Sequence, residues 1–329
     1  MTPELTSLLR DTSRSFYLTL RVLPASIGPQ IGLAYLLARA TDTIADTDLL
    51  PVDQRLHALA ALKNRILGNS PNPVEFSTLA QHQGLPAEKL LLQRIEEAIA
   101  ILQKLSTADQ SLVREVLNTI TTGQELDLQR FGTASRDHVI ALQNAGELDD
   151  YTYKVAGCVG EFWTQMCLAH LFTQTKMSPA DLLKNGIRFG KGLQLVNILR
   201  DLPKDLAQGR CYLPQDELQK AGLTPSDLFH PDTEPRLRPL YNPWLNLAED
   251  HLQAGWNYTT ALPWTSIRVR LACAWPILIG LDTLKKLRTQ PILDPNHRVK
   301  TSRKQVKHLI LKSVMFYPFP GLWKGMVDI

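Results

Sequence analysis

The stretch Gln30–Thr47, QIGLAYLLARATDTIADT, decides how the chain folds. Tyr35, Arg39, Asp42 and Asp46 recur at intervals of four, three and four residues, which stacks them on one face of an α-helix. The remaining rows hold Leu33, Leu36, Leu37, Ala40 and Ile44. A second stretch, Gly186–Asp205, GIRFGKGLQLVNILRDLPKD, repeats the device with Gln194, Asn197, Asp201 and Asp205 among Leu195, Val196, Ile198, Leu199 and Leu202. Each is a polar row cut into an apolar helix. An unpaired carboxylate in such surroundings is costly or shifts its pKa to neutralise, so a cation has to answer the row. Mg²⁺ suits aspartates at i and i+4, because it takes few carboxylates per ion, keeps water and accepts phosphate oxygens as further ligands. Arg39 and Arg200 stand beside the carboxylates, where they could take remaining phosphate charge by bidentate contact. Either row alone reads as well as a solvated face, with Arg39 pairing Asp42 at i,i+3. The recurrence favours chemistry. Pro203 disfavours helix through Leu202, so Asp205 is expected past a kink, with a weaker claim on a metal than Asp201.

Outward from these rows the periodicity reads as helix nearly everywhere, and an all-α fold follows. Asp53 to Gly68 reads as a capped helix, and Thr107-Ala-Asp-Gln110 as a capping box opening a helix toward Gln129. Ser178-Pro179 supplies an N-cap and a first-turn proline for a helix to about Leu202. From Gln208 to Pro243, rich in Pro, Asp and Arg, little regular structure is expected. Helices are then expected over 244–262, 267–287 and 302–313.

Composition excludes several classes. With 329 residues, 44% hydrophobic and 21% charged, the chain can bury a core without disulfide or metal staples. Its four cysteines form no C-x-x-C pair, which leaves neither a zinc ribbon nor a dithiol redox motif and suits a reducing cytosol. No leader-like segment opens the chain, and the longest apolar run, 271–281, is too short to span a bilayer, so a cytoplasmic protein is expected. The net charge of +4 hides a cancellation: residues 283–324 hold ten Lys+Arg against one Asp. Nucleic acid is not the expected partner. That basic stretch, with Phe316, Tyr317, Phe319 and Trp323, suits either a phosphorylated cofactor or the inner face of an anionic membrane, or simply packs on the body.

The motifs together resemble the squalene/phytoene synthase family, the head-to-head prenyl synthases. They are SRSF at 13–16, Asp42-Thr-Ile-Ala-Asp46, Tyr151-Thr-Tyr-Lys-Val-Ala-Gly-Cys-Val-Gly160, Asn197-Ile-Leu-Arg-Asp201 through Asp205, and Gly209-Arg-Cys-Tyr-Leu-Pro214. The resemblance runs from Ser13 to about Lys312, and it implies one domain over 1–329, with a core to 312 and an aromatic-basic tail at 313–329. The implied fold is an isoprenoid-synthase helical bundle whose two Asp-rich helices face each other across a central cavity for two prenyl diphosphates. Asp42, Asp46, Asp201 and Asp205 would then bind Mg²⁺-diphosphate. Ser13, Arg14, Arg39, Arg200 and Arg210 would contact phosphate, with Gln194 and Asn197 beside the metals and Tyr151 as the catalytic tyrosine. Asp127, in Gly123-Gln-Glu-Leu-Asp127, would be an outer residue.

Within the family, Cys273-Ala-Trp-Pro276 with Thr283-Leu284, and Val299-Lys300-Thr-Ser-Arg303-Lys304, look like segments of squalene synthases. That similarity implies condensation of two farnesyl diphosphates through presqualene diphosphate and reduction by NADPH, with Lys300, Arg303 and Lys304 toward the cofactor's 2′-phosphate or merely a solvated helix start. No G-x-G-x-x-G follows a strand, so no classical dinucleotide fold is expected. Dehydrosqualene or phytoene synthesis without reduction is the alternative product outcome. A non-catalytic assembly or lipid-binding relative would show degraded Asp motifs, and a head-to-tail synthase would show D-D-x-x-D. No protein partner is implied.

Overall fold

The computed structural model describes residues 3–13, 17–47, 50–81, 85–172 and 174–327. Their contacts group into two compact units, Met1–Gly132 with Phe162–Thr173, and Thr133–Glu161 with Gln174–Ile329. The first holds α1 (Pro3–Ser13), α2 (Tyr17–Val22), α3 (Gly28–Asp46), α4 (Val52–Leu67), α5 (Ser77–Gln81), α6 (Pro86–Gln93), α7 (Ile95–Leu102) and α8 (Thr107–Phe131). In the second, β1 (Ile140–Leu142), α9 (Ala145–Thr152) and a π-helical turn, Tyr153–Gly157, lead into α10 (Cys158–His170). α11 (Pro179–Ala207), β2 (Arg210–Pro214), α12 (Gln215–Lys220), α13 (Glu234–Ala261), α14 (Ile267–Leu287), α15 (Arg303–Phe316) and α16 (Pro320–Lys324) follow. The all-helical expectation holds apart from one pair of short parallel strands, β1 and β2. Among the described residues no helix is long and apolar enough to cross a membrane.

In the first unit α3 is the axis, packed by α8, α4 and α7. Leu33, Leu36, Leu37, Ala40 and Ile44 are all fully buried, which accounts for its stability without a side-chain N-cap. α4 begins at Val52, one residue before Asp53, and ends on Gly68 at φ 83°, a left-handed position that glycine adopts without steric cost. Ser106, and not Thr107, caps α8: its hydroxyl accepts the Asp109 N–H at 3.1 Å. The Asp109 carboxylate is buried, with Oδ1 2.7 Å from His170 Nε2, so that histidine has a structural partner.

In the second unit α11 is the axis, packed by α13, the π-helical turn and α14. Its N-cap is Ser178, as expected, and it continues as one helix through Pro203 to Ala207. Asp205 therefore lies inside α11 and not past its end. Leu199, Leu202 and Leu206 are buried around the proline, and that packing outweighs the single lost backbone donor. The stretch from 208 to 243 is more ordered than its composition suggests. It contains β2, α12 and two 3₁₀ turns, and α13 already starts at Glu234, ten residues before the expected position. Pro239 and Pro243 lie inside α13 at a four-residue interval, so the missing donors fall along one row. Leu237, Tyr241 and Leu245 are fully buried on the same helix, and the Tyr241 hydroxyl donates to the Leu199 carbonyl of α11 at 2.8 Å.

Close backbone approach fixes the Val155–Gly160 segment. A Cβ on Gly160 would overlap the Gly186 carbonyl, and one on Gly190 would overlap that of Ala156. Glycine at both positions lets the π-helical turn and the start of α10 lie directly on α11. Gly160→Ala should therefore lower unfolding stability by about 1–3 kcal/mol, whereas Gly321→Ala, with nothing within 4 Å of its Cβ, should stay within about 0.5 kcal/mol of wild type. Urea titration of both variants checks the contrast.

Where α11 meets α13, Arg188 Nε donates to His251 Nδ1 at 3.2 Å. Burial, with Arg188 and Lys191 nearby, depresses the His251 pKa to about 4. The unfolded chain binds a proton near pH 6.5 that the folded chain refuses, so stability is lost as pH falls from about 6.5 toward 4. Comparing denaturation curves of wild type and His251→Gln across that window should show the difference shrinking steadily as pH drops.

Candidate active site

On α3 the expected polar row is real. Tyr35, Arg39 and Asp42 are half-buried and Asp46 is exposed at the helix end, while the neighbouring rows are buried. Arg39 ion-pairs with Asp42 one turn on and with Glu88 of α6, both within the first unit. Burial, reinforced by the Asp46 and Glu88 charges, pushes the Asp42 carboxyl up to about 7 against the pull of Arg39. Its side chain is 38% exposed, so water also reaches the group. The Tyr35 hydroxyl donates to the Thr12 carbonyl at 3.5 Å, which brings the end of α1 beside the row. Ser13 is buried and its hydroxyl donates to Leu9 at 2.5 Å, so in this state that hydroxyl serves its own helix. Arg14 lies outside the described residues. Asp127 is half-buried on α8.

On α11 the second row sits in the second unit. Arg200 Nε and Nη2 donate to the two carboxylate oxygens of Asp201 at 3.0 and 2.6 Å. Arg298 Nε and Nη2 reach Asp201 Oδ1 at 3.2 and 3.0 Å from the loop before α15. Burial pushes Asp201 up, but the two guanidiniums more than offset it and hold the carboxyl below the usual carboxylate range. Asn197 donates to Gln194 at 3.5 Å, and Asp205 remains half-buried one turn beyond Asp201.

Immediately after α11 the chain turns on Gly209 at φ 78°, where a Cβ would run into the Ser135 backbone, and enters β2 with Arg210. Ile140 pairs with Arg210 and Ala141 with Cys211, and an irregularity after Ala141 sets Leu142 against Pro214. This short ladder holds Tyr212 against Tyr151 of α9. Their rings stack at 4.8 Å and their hydroxyls lie 3.4 Å apart. Tyr151 is thus half-buried in a phenol pair two residues before the π-helical turn, a helix irregularity frequent at functional sites.

Lys300, Arg303 and Lys304 are all exposed at the start of α15, whose Ser302–Gln305 capping box fixes the helix entry. Thr301 donates to Asp282 at 2.6 Å and Lys286 to Gln305 at 2.9 Å, tying this segment to α14.

Three residues escaped the sequence reading. Tyr212 lay inside the Gly209–Pro214 motif and could have been found there. Arg298 stands two positions before the basic cluster that drew attention, and Glu88 belongs to no motif at all. All four cysteines are buried and outside any disulfide, and burial raises the thiols of Cys158 and Cys211 to about 12, which disfavours their reactive thiolate form.

The donor sets suit a hard divalent cation. Among the described residues no three His, Cys, Asp or Glu side chains converge into a ready-made metal cage. Paired aspartates with arginine neighbours instead match an ion that shares ligands with water and phosphate. Asp42 and Asp46 would serve one row, and Asp201 and Asp205 the other.

The sequence profile of squalene/phytoene synthases matches residues 9–305. The chain belongs to the squalene/phytoene synthase family. It is 26% identical over 313 residues to the squalene synthase of Schizosaccharomyces pombe, covering 93% of this chain and 64% of that protein. It is 29% identical over 213 residues to the presqualene diphosphate synthase of Rhodopseudomonas palustris, covering 65% of this chain and 62% of the relative. The chain thus spans less than two thirds of the length of these curated relatives. The fold matches that of TcSQS solved with the ligand E5700, at a TM-score of 0.76 and 20% identity over 98% of this chain and 96% of the other.

The two guanidiniums on Asp201 make a separable prediction. In the metal-free protein, Arg200→Ala and Arg298→Ala should each raise the Asp201 titration midpoint toward the ordinary carboxylate value, the first more than the second because its contact engages both oxygens. Carboxyl ¹³C titration by NMR reads both shifts.

Proposed function

We propose that the chain condenses two farnesyl diphosphates head-to-head through presqualene diphosphate and reduces the product to squalene with NADPH. The observation that carries this reading is the twofold arrangement of an aspartate row set in an apolar helix and held by arginine, in a chain that belongs to a family of prenyl synthases.

Ionising an allylic diphosphate separates a carbocation from a highly charged leaving group, so the protein must stabilise the anion and shield the cation from water. Mg²⁺ bound to Asp42, Asp46, Asp201 and Asp205 would supply the leaving-group charge stabilisation. Arg39, Arg200 and Arg210 would bind phosphate oxygens, with Ser13 at the end of α1 and Arg14 next to it in the sequence contributing, and Gln194 and Asn197 orienting the polar row. C1 of the first prenyl cation joins the double bond of the second substrate, and loss of one proton gives the cyclopropane. The Tyr151 phenol oxygen, paired to Tyr212, would move that proton, and its ring face tolerates nearby positive charge. NADPH, with its 2′-phosphate on Lys300, Arg303 and Lys304, would supply the hydride for the reductive half. Those three exposed cations at a capped helix N-terminus support that assignment.

Incubation with farnesyl diphosphate and Mg²⁺ should yield presqualene diphosphate alone, and squalene when NADPH is added. Dehydrosqualene in both samples, or turnover only with geranylgeranyl diphosphate, would replace this reading with one of the non-reductive syntheses. Asp42→Asn and Asp201→Asn should each cut the first step about a hundredfold or more. Tyr151→Phe should retain prenyl diphosphate binding while kcat falls by about 10²–10⁴; an unchanged kcat removes the tyrosine from the chemistry.

A further inference from the structure

α15 and α16 present two different faces. Inward, Tyr317 and Trp323 are buried and close on the Arg270 guanidinium, which lies 4.6 Å from the ring centroids of both Trp264 and Trp323 and 5.8 Å from that of Tyr317. Trp256 stacks on Trp323 at 4.7 Å and donates its indole N–H to the Lys324 carbonyl at 3.0 Å. The Tyr317 hydroxyl donates to the Trp264 carbonyl at 2.5 Å. These contacts fix which side chains are left outside.

Outward, Leu311, Val314 and Met315 share one face of α15 at spacings of three and four, and they are 58%, 45% and 59% exposed. Phe319 and Leu322 follow at 57% and 56%. Five of the twelve exposed large apolar side chains among the described residues therefore fall within positions 311–322. Scattered singly they would need no explanation, but concentrated they mark a contact surface. The same helical row runs back through exposed His308, Lys307 and Lys304. Lys312 places its ammonium 5.4 Å from the centroid of the Phe316 ring, and Lys324 is exposed beside the patch.

We propose that this face docks on an anionic lipid bilayer, with Leu311, Val314, Met315, Phe319 and Leu322 entering the interfacial zone and the flanking lysines meeting lipid phosphates. Charge complementarity selects the occupant. The two helices that carry the patch hold Arg303, Lys304, Lys307, Lys312 and Lys324 and no acidic residue, as suits a laterally uniform negative surface. The contact is peripheral, since none of the described helices is long and apolar enough to span. It is independent of the prenyl chemistry, and its test reads no turnover.

Co-sedimentation is to be measured with phosphatidylcholine vesicles alone and with vesicles containing about one third phosphatidylserine. The full chain should pellet with the anionic vesicles, not with the neutral ones, and be released at about 0.5 M salt. Met315→Ser/Phe319→Ser/Leu322→Ser should weaken partitioning at least about tenfold, and Lys307→Gln/Lys324→Gln by about fivefold per lysine. Near-ultraviolet circular dichroism confirms that the aromatic cluster around Arg270 stays folded in both variants, and Leu90→Ser, an exposed apolar residue elsewhere, should bind as wild type does. Undiminished binding by either multiple variant overturns the proposal. So does equal binding to neutral vesicles, or a dimer that the triple serine variant abolishes in a chain that ignores lipid.

Discussion

Each unit is organised around a row of carboxylates that its own helix would otherwise reject. α3 and α11 are stabilised by burying leucine, isoleucine and valine on most of their circumference, and on such a helix an ionised aspartate is tolerable only beside a positive group. Arg39 answers Asp42 and Glu88 in the first unit; Arg200 and Arg298 answer Asp201 in the second. The two solutions are not equivalent. One arginine shared by two carboxylates, with Asp46 close by, leaves Asp42 reluctant to ionise, whereas two arginines on one carboxylate hold Asp201 firmly charged. The shared arginine and the doubled arginine therefore leave Asp42 and Asp201 shifted in opposite directions.

The elements that support these rows explain why particular residue types stand where they do. Glycines at 160 and 190 are consumed by backbone contact between the π-helical turn and α11, and Gly209 by a left-handed turn against Ser135. Tyr241 ties α13 to a carbonyl of α11, which lets a helix with two internal prolines survive. The tyrosine pair depends on the two-stranded ladder, because β2 is what presents Tyr212 to Tyr151.

Both polar rows, the helical class and most helix positions were legible in the sequence because each is a periodic signal carried by local residues. The apolar face of α3 buries as its spacing implied. Failures came where a non-local contact outweighed local preference. Pro203 does not interrupt α11, and α13 begins well inside a proline-rich stretch, since buried leucines and Tyr241 supply what backbone donors lack. Arg298 and Glu88 were invisible for the same reason. Each is a single charged residue whose meaning comes only from the aspartate or arginine that the fold brings to it.

Arg270 carries a practical consequence. Its guanidinium is buried, and Nε and Nη2 have no hydrogen-bond acceptor, so aromatic faces are their main company. Two of those faces, Tyr317 and Trp323, come from beyond residue 312, where motif similarity fades. A shortened gene designed to stop at that border would strip the lid from a desolvated cation, and the resulting polypeptide would be a poor choice for expression or crystallisation. The segment from 313 to 327 has to be kept as part of the folding unit.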